Sequence, residues 1–146
     1  MMLSQPLPPT NQRDIPIAQF RKMVEQAVQM INSDTTNKQY KDVCHVKEVT
    51  IDASRYAQDG FEKRRLRILI HTPNTLNLPQ LPNQQRNKIA LTPALVYFHG
   101  GGGVALSPSD TINQMNRYAY DNGLIVFNVD YRLAPEHKAP AGIMDA

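Results

Sequence analysis

A run of four glycines directly follows His99, and its residue types are better suited to chemistry than any others in this sequence. The run, 100–103, comes after the apolar segment 94–98, whose composition is typical of a strand covered on both faces. Glycine has no Cβ, so the backbone N–H groups of such a run are open to a bound group and φ can be positive. These properties predict a site that stabilises a negatively charged atom.

Two phosphate-binding mechanisms also use glycines at the end of a strand. A P-loop needs a lysine followed by serine or threonine after its glycines, and no such lysine is present. A dinucleotide-binding loop is matched by Gly100, Gly102 and Ala105, with Asp130 in the place of the ribose-binding acid. In such a loop the helix opens directly on the glycines, whereas residues 106–109 include a proline and delay the helix here. Dinucleotide binding remains a distant alternative.

An oxyanion hole is the third mechanism, and it needs only N–H donors that a substrate can approach closely. Negative charge develops on a carbonyl oxygen during acyl transfer, and losing one preorganised donor typically costs about 3–4 kcal/mol of transition-state stabilisation. The glycine run offers such donors with no side chain in the way.

Two motifs support this third mechanism, because together they resemble one family. His99–Gly102 resembles the HGGG loop of the hormone-sensitive-lipase-like esterases, a branch of the α/β-hydrolase fold. Residues 130–137 resemble the DYRLAPEH stretch that follows the next strand in that family. The resemblance implies a carboxylic-ester hydrolase that acts on small or medium acyl chains through a serine acyl-enzyme, without metal or organic cofactor. It implies that Gly101 and Gly102 supply the oxyanion N–H groups, that His99 braces the loop, and that the DYRLAPEH stretch supports it.

The sequence also departs from the family's pattern. Gly103 stands where the family usually has an aromatic residue, and residues 138–139 are Lys-Ala in place of Pro-Phe. In that family the nucleophile, acid and histidine of the catalytic triad lie downstream, beyond Ala146, and no G-x-S-x-G occurs here. We therefore expect this chain alone to be inactive. The alternative is a non-catalytic remnant or half-protein that binds or complements a separate C-terminal chain.

The other polar residues near the motifs receive structural interpretations. We expect Ser107 and Ser109 to cap a helix, His45 and His71 to be surface or edge residues, His137 to be structural, and Asp130 to act as a hydrogen-bonding brace.

The hydrophobic pattern predicts the elements that position these motifs. Helical spacing predicts a first helix over 15–31, capped by Asp14, and a long surface loop spans 72–93. The remaining elements are, in order, strands 43–51 and 65–70 joined through a turn at 59–60, strand 94–98, a helix capped by Ser107 and stopped at 122–123, strand 124–129, and a further helix near 143–146.

The fold class that follows is α/β: the N-terminal portion of an α/β-hydrolase sheet, with an antiparallel first strand pair, a parallel βαβ unit and an N-terminal cap-like helix. We expect a flexible arm over 1–13, the cap-like helix region over 14–42, and an incomplete α/β-hydrolase domain over 43–146. By the resemblance, strand 94–98 lies between strand 124–129 and the strand that carries the nucleophile. Without the latter it would be an exposed apolar edge that favours self-association or pairing with a C-terminal half.

Composition and charge narrow the functional classes further. The chain has 146 residues, a net charge of +3 and one cysteine, Cys44, which allows no internal disulfide and which we expect in the core. The one basic cluster, 63–65 with Arg67, falls on a predicted strand and favours a solvated strand face over a nucleic-acid site. We see no secretory signal and no membrane-spanning segment, so the expected location is cytoplasmic and the expected partner a small acyl ester.

Overall fold

A computed structural model of the chain describes residues 15–33, 39–53, 65–76 and 92–146. Two α-helices and four β-strands lie in this part of the chain. They are, in chain order, α1 (Ile17–Ser33), β1 (Cys44–Asp52), β2 (Arg65–Pro73), β3 (Ala94–Phe98), α2 (Ile112–Asn122) and β4 (Ile125–Asp130). The predicted arm over 1–13, the Asp14 cap, the turn at 59–60, Lys63 and Arg64, and most of the predicted loop over 72–93 fall outside the described residues.

The four strands form one mixed sheet in the order β1-β2-β4-β3. β1 and β2 pair antiparallel, with Cys44 opposite Pro73, and β2 also pairs antiparallel with β4. β3 and β4 pair parallel, from Ala94 opposite Ile125 to Phe98 opposite Val129. Since α2 lies between these two parallel strands in the chain, the predicted α/β class, the antiparallel first pair and the βαβ unit are all confirmed.

Each face of the sheet carries its own core cluster, as the alternation of side chains along a strand requires. On one face, α2 buries Met115 and Ala119 against Cys44 and Val126. On the other face, the buried residues are Ala53, Leu66, Ile68 and Val129. Cys44 is buried, which confirms that it is a core residue, and burial raises the pKa of its thiol to about 11.

Gly123 ends α2 as its position in the sequence predicts. Its φ of 60° is left-handed, and Leu124 N–H donates to the Ala119 carbonyl at 3.1 Å, which satisfies a carbonyl that the helix leaves unpaired.

Three local expectations are wrong in detail. β2 continues to Pro73, beyond the predicted end at Ile70, because β1 supplies a partner along that length. Ser107 precedes a 3₁₀ turn over Pro108–Thr111 rather than the α-helix itself, and its hydroxyl donates to the Asp110 carboxylate at 2.7 Å instead of capping a backbone N–H. The chain near 143–146 forms a 3₁₀ turn and no α-helix.

β3 lies at the edge of the described sheet and is not covered on both faces. Val96 is 57% exposed, and Leu95 and Phe98 are also exposed. The apolar composition of this segment therefore predicted a strand correctly, but the predicted burial on both faces is wrong. The apolar edge expected at this strand is present in the described sheet. Among the helices of the described ranges, none has both the length and the apolar character that crossing a membrane requires.

Candidate active site

The glycine run forms a tight turn at the carboxyl end of β3. Gly101, Gly102 and Gly103 have φ values of 105°, 65° and 72°, a region that L-residues with a side chain seldom adopt. A Cβ on Gly101 would lie 2.1 Å from the Ala105 carbonyl oxygen, whereas one on Gly100 would meet no atom within 4 Å. Gly101 is therefore required for a steric reason as well as a conformational one.

Hydrogen bonds close the turn through its carbonyl groups and leave its amides unused. The N–H groups of Val104 and Ala105 donate to the Gly101 carbonyl at 3.2 and 3.1 Å, and Ala134 N–H donates to the Gly103 carbonyl at 2.9 Å. Within the described part of the chain, the N–H groups of residues 101–103 donate to no acceptor. The arrangement therefore presents N–H donors at a strand end that no described acceptor occupies.

His99 is buried directly beneath the turn, with 3% of its surface exposed. Its Nδ1 lies 2.9 Å from the Gly100 carbonyl, so Nδ1 carries a proton that it donates to this oxygen. The imidazole stacks on the Tyr131 ring at 4.4 Å, and the Tyr131 hydroxyl donates to the His99 carbonyl at 2.6 Å. These contacts hold the backbone that enters the glycine turn.

The segment after β4 is fixed by two ion pairs. Asp130 accepts from Arg67 at 3.0 Å, and Arg67 also contacts Glu48 at 2.9 Å, so the hydrogen-bonded brace expected of Asp130 is present. The hydrogen bonds to Asp130 and Glu48 raise the pKa of Arg67. Arg132 pairs with the fully buried Asp145 carboxylate at 3.0 Å. Arg67 is therefore engaged within the sheet, which disfavours a phosphate-binding stripe.

Two cavities flank the turn. One, of about 480 Å³, has mostly apolar walls that include Phe98, Val104 and Ile143, and it opens beside Gly102 and Gly103. The other, of about 630 Å³, lies between α1 and the segment 130–137. Both volumes fall within the usual range for small-molecule sites.

A dinucleotide-binding loop requires a helix that begins directly after the glycines, and the structure does not have this arrangement. α2 begins at Ile112 after a 3₁₀ turn, so this helix does not open directly on the glycines. Within the described ranges, no serine hydroxyl is hydrogen-bonded to a histidine: Ser107 donates to Asp110, and Ser109 accepts from Arg67 at 3.4 Å.

His71 is fully buried, so its interpretation as a surface or edge residue is wrong. Its Nδ1 lies 2.7 Å from the Asn116 side-chain oxygen, and the Asn116 amide donates in turn to the Tyr40 carbonyl at 2.9 Å. Burial lowers the pKa of His71, so the ring is neutral at physiological pH. The alternation along β2, with His71 two residues after the buried Leu69, was the signal that could have placed it. His45 is exposed on β1 as expected.

Arg21 is the site residue that sequence reasoning missed. Its Nε donates to the Val104 carbonyl at 2.7 Å, and its two Nη atoms each donate to a Glu136 oxygen at 2.7 Å. The hydrogen bond from Arg21 lowers the pKa of Glu136 to about 2. The partners lie more than 80 positions apart in the chain, and no local pattern in the sequence pairs them.

With this geometry in place, comparison with known proteins defines the class. A family model described as alpha/beta hydrolase fold matches residues 95–146, which include the glycine turn, α2, β4 and the DYRLAPEH stretch. The solved esterase of Pyrobaculum calidifontis superposes with a TM-score of 0.63 over 97% of this chain and 37% of its own, at 26% identity. The protein therefore has the α/β-hydrolase fold.

Part of the chain is also similar in sequence to curated enzymes. The carboxylesterase NlhH of Mycobacterium tuberculosis is 51% identical over 55 residues, which are 37% of this chain and 17% of that protein. Tuliposide A-converting enzyme b1 of Tulipa gesneriana is 38% identical over 80 residues, 53% of this chain. Over about half of its length the chain is similar to these enzymes, in keeping with a partial hormone-sensitive-lipase-like carboxylesterase, and it spans only about 19% of the length of the tulip enzyme.

Proposed function

We propose that this chain supplies the oxyanion-stabilising part of a carboxylic-ester hydrolase. The observation that carries the proposal is the glycine turn, in which three consecutive left-handed glycines present N–H groups with no acceptor among the described residues. Gly101 and Gly102 would donate to the developing oxyanion, and His99 would hold the backbone that enters the turn. The serine nucleophile and its histidine and acid partners would come from sequence beyond the matched segment.

The substrate class that fits is an ester with a small or medium acyl group. The cavity of about 480 Å³ beside Gly102 is mostly apolar and offers space for a short hydrocarbon chain next to the donors. Arg132, which lines this cavity, is already paired with Asp145 and does not call for a negatively charged substrate.

A graft into an active relative tests the turn directly. Residues 95–146 would replace the corresponding segment of the carboxylesterase NlhH, and hydrolysis of p-nitrophenyl butyrate would be measured. We expect a working chimera, because the graft carries the whole turn and its supporting stretch. A chimera that folds and lacks turnover contradicts the proposal.

Two neighbouring glycines provide the matched variants in this chimera. Gly101→Ala places a Cβ against the Ala105 carbonyl and should lower kcat by about 100- to 1,000-fold, as the loss of an oxyanion donor does. Gly100→Ala meets open space and should change activity by about twofold at most. Equal losses in the two variants would mean that the turn is not the oxyanion hole.

A second candidate function, complementation by another chain, rests on the exposed edge of β3. An unpaired parallel edge with an exposed Val96 can accept a further strand from a C-terminal polypeptide or a second copy of this chain. We expect the isolated chain to associate in light scattering, and Val96→Lys to reduce association because edge lysines block pairing. A purely monomeric wild-type chain that melts cooperatively contradicts this candidate.

The same preparation also tests whether the chain has activity of its own. The chain alone should not hydrolyse p-nitrophenyl esters. Turnover that survives controls for trace contaminants would refute the interpretation as a non-catalytic half.

A further inference from the structure

Arg21 contacts both segments that enclose the glycine turn. Its Nε donates to the Val104 carbonyl at 2.7 Å, on the residue immediately after the glycines. One Nη atom donates to the Ala134 carbonyl at 3.0 Å, and the guanidinium forms a two-pronged pair with the Glu136 carboxylate. A single side chain thus connects α1 to the turn and to the stretch that supports it.

The contacts form a closed ring around the turn. Val104 N–H donates to the Gly101 carbonyl, and Ala134 N–H donates to the Gly103 carbonyl. Arg21 binds the carbonyl groups of both Val104 and Ala134, so two of the three backbone hydrogen bonds that fix residues 101–103 come from residues that share one anchor. A movement of Arg21 therefore acts on both ends of the turn together.

Polar contacts connect α1 to the body of the fold. None of its residues is buried, and besides the contacts of Arg21 the Asn32 amide donates to the Asp110 carbonyl at 3.2 Å. Arginine suits this position because the N–H groups of its planar guanidinium can donate to two carbonyls and a carboxylate at the same time and at fixed angles. The compact ammonium group of lysine cannot do this.

We propose that Arg21 is a positioning residue that couples the docking of α1 to the geometry of the N–H donors at Gly101 and Gly102. This inference rests on the proposed function for its catalytic meaning, but the coupling itself is a property of this chain. When α1 is docked the turn is held closed; when α1 detaches, Val104 and Ala134 lose their common anchor and the donors lose their alignment.

Amide hydrogen exchange on the 146-residue chain tests the coupling. In Arg21→Gln, the amides of Val104, Ala105 and Ala134 should exchange about tenfold faster, because the hydrogen bonds that protect them open more often. Amides at the centre of the sheet, such as those of Leu69 and Val126, should keep their rates. Lys22→Gln is the matched control, since it removes a positive charge from the same turn of α1 at an exposed residue, and it should change none of these rates.

Two further variants keep the inference open to refutation. Glu136→Gln removes only the charge of an exposed partner, so it should accelerate the same three amides by a smaller factor even if Arg21→Gln does not fold. Arg21→Lys should fail to restore protection because it lacks the fork. Wild-type exchange in Arg21→Gln or in Glu136→Gln, or full protection in Arg21→Lys, would overturn the assignment.

The outcome is separable from that of the proposed function. Exchange reports the coupling without any substrate, so an inactive NlhH chimera would contradict the hydrolase proposal and leave the exchange result standing. Conversely, an active chimera with unchanged exchange in Arg21→Gln would remove Arg21 from the site and leave the oxyanion turn in place.

Discussion

The two α-helices in the described ranges carry the same kind of apolar periodicity and are attached to the fold in different ways. α2 buries Met115, Asn116 and Ala119 against the sheet, whereas α1 buries no residue and leaves Met30 74% exposed. α2 is held by apolar packing, whereas the contacts that connect α1 to the body of the fold include the charged fork of Arg21 and the amide of Asn32. Helical spacing of apolar residues therefore predicts a helix but not the surface that it packs on.

Replacing one methionine in each helix tests this comparison, and it is the test with the largest expected change in the free energy of unfolding. Met115→Ala should lower the free energy of unfolding by about 3 kcal/mol, since it empties a fully buried site. Met30→Ala should change it by less than about 0.5 kcal/mol, because Met30 is exposed and alanine favours a helix. Urea unfolding followed by circular dichroism measures both, and similar losses in the two variants would end the distinction.

The backbone just before α2 stores strain that can be released. Leu106 has a φ of 70°, which costs a residue with a Cβ about 1–2 kcal/mol. Leu106→Gly should raise the free energy of unfolding by about 1 kcal/mol, less any packing lost with the side chain. Leu106→Ala is the control, because it removes the same contacts and keeps the Cβ. A gain in the alanine variant equal to that in the glycine variant would argue against strain.

The buried contact below α2 should respond to mild acid. The pKa of His71 is lowered by burial, so the neutral ring stabilises the fold above the unfolded-state value of about 6.5, and this contribution is lost as pH falls below it. We expect the melting temperature to decrease between pH 7 and pH 5 and the decrease to be smaller in His71→Gln. An identical pH dependence in the two proteins would contradict the buried, neutral histidine.

The exposed contact of α1 should respond only to stronger acid, with the smallest effect on stability. The pKa of Glu136 is lowered to about 2 by Arg21, so the pair is complete above the ordinary glutamate value and is lost as pH falls from there toward 2. Carbon-13 NMR should show the Glu136 carboxylate still ionised at about pH 3.5, and titrating near its ordinary value in Arg21→Gln. Titration of the wild-type Glu136 carboxylate near the ordinary glutamate value would mean that it is not paired with the Arg21 guanidinium.

The sequence predicted a structural feature correctly where the residues that determine this feature are close together in the chain. The apolar runs at β3 and β4, the left-handed Gly123 after α2 and the glycines after His99 each lie within a few residues of what they determine. These features, with the DYRLAPEH stretch, were enough to predict the α/β class and the order of the βαβ unit.

The features that sequence reasoning missed depend on residues distant in the chain. His71 is buried because α2 covers β2, and its partner Asn116 lies 45 positions away. Arg21 reaches Glu136 across 115 positions, and nothing near either residue marks the pair. The exposure of β3 likewise depends on which strands stand beside it, which its own apolar residues do not specify.

The order of strands in the sheet also determines when each strand can pair while the chain is being synthesised on the ribosome. β4 lies between β2 and β3 although it is made after both, so the β1–β2 pair can form early while β3 has no neighbour until Asp130 has emerged. At ordinary translation rates this delay is on the order of seconds. During that interval the edge of β3 that later pairs with β4 has no partner, and a chaperone that shields this strand would act in that time window.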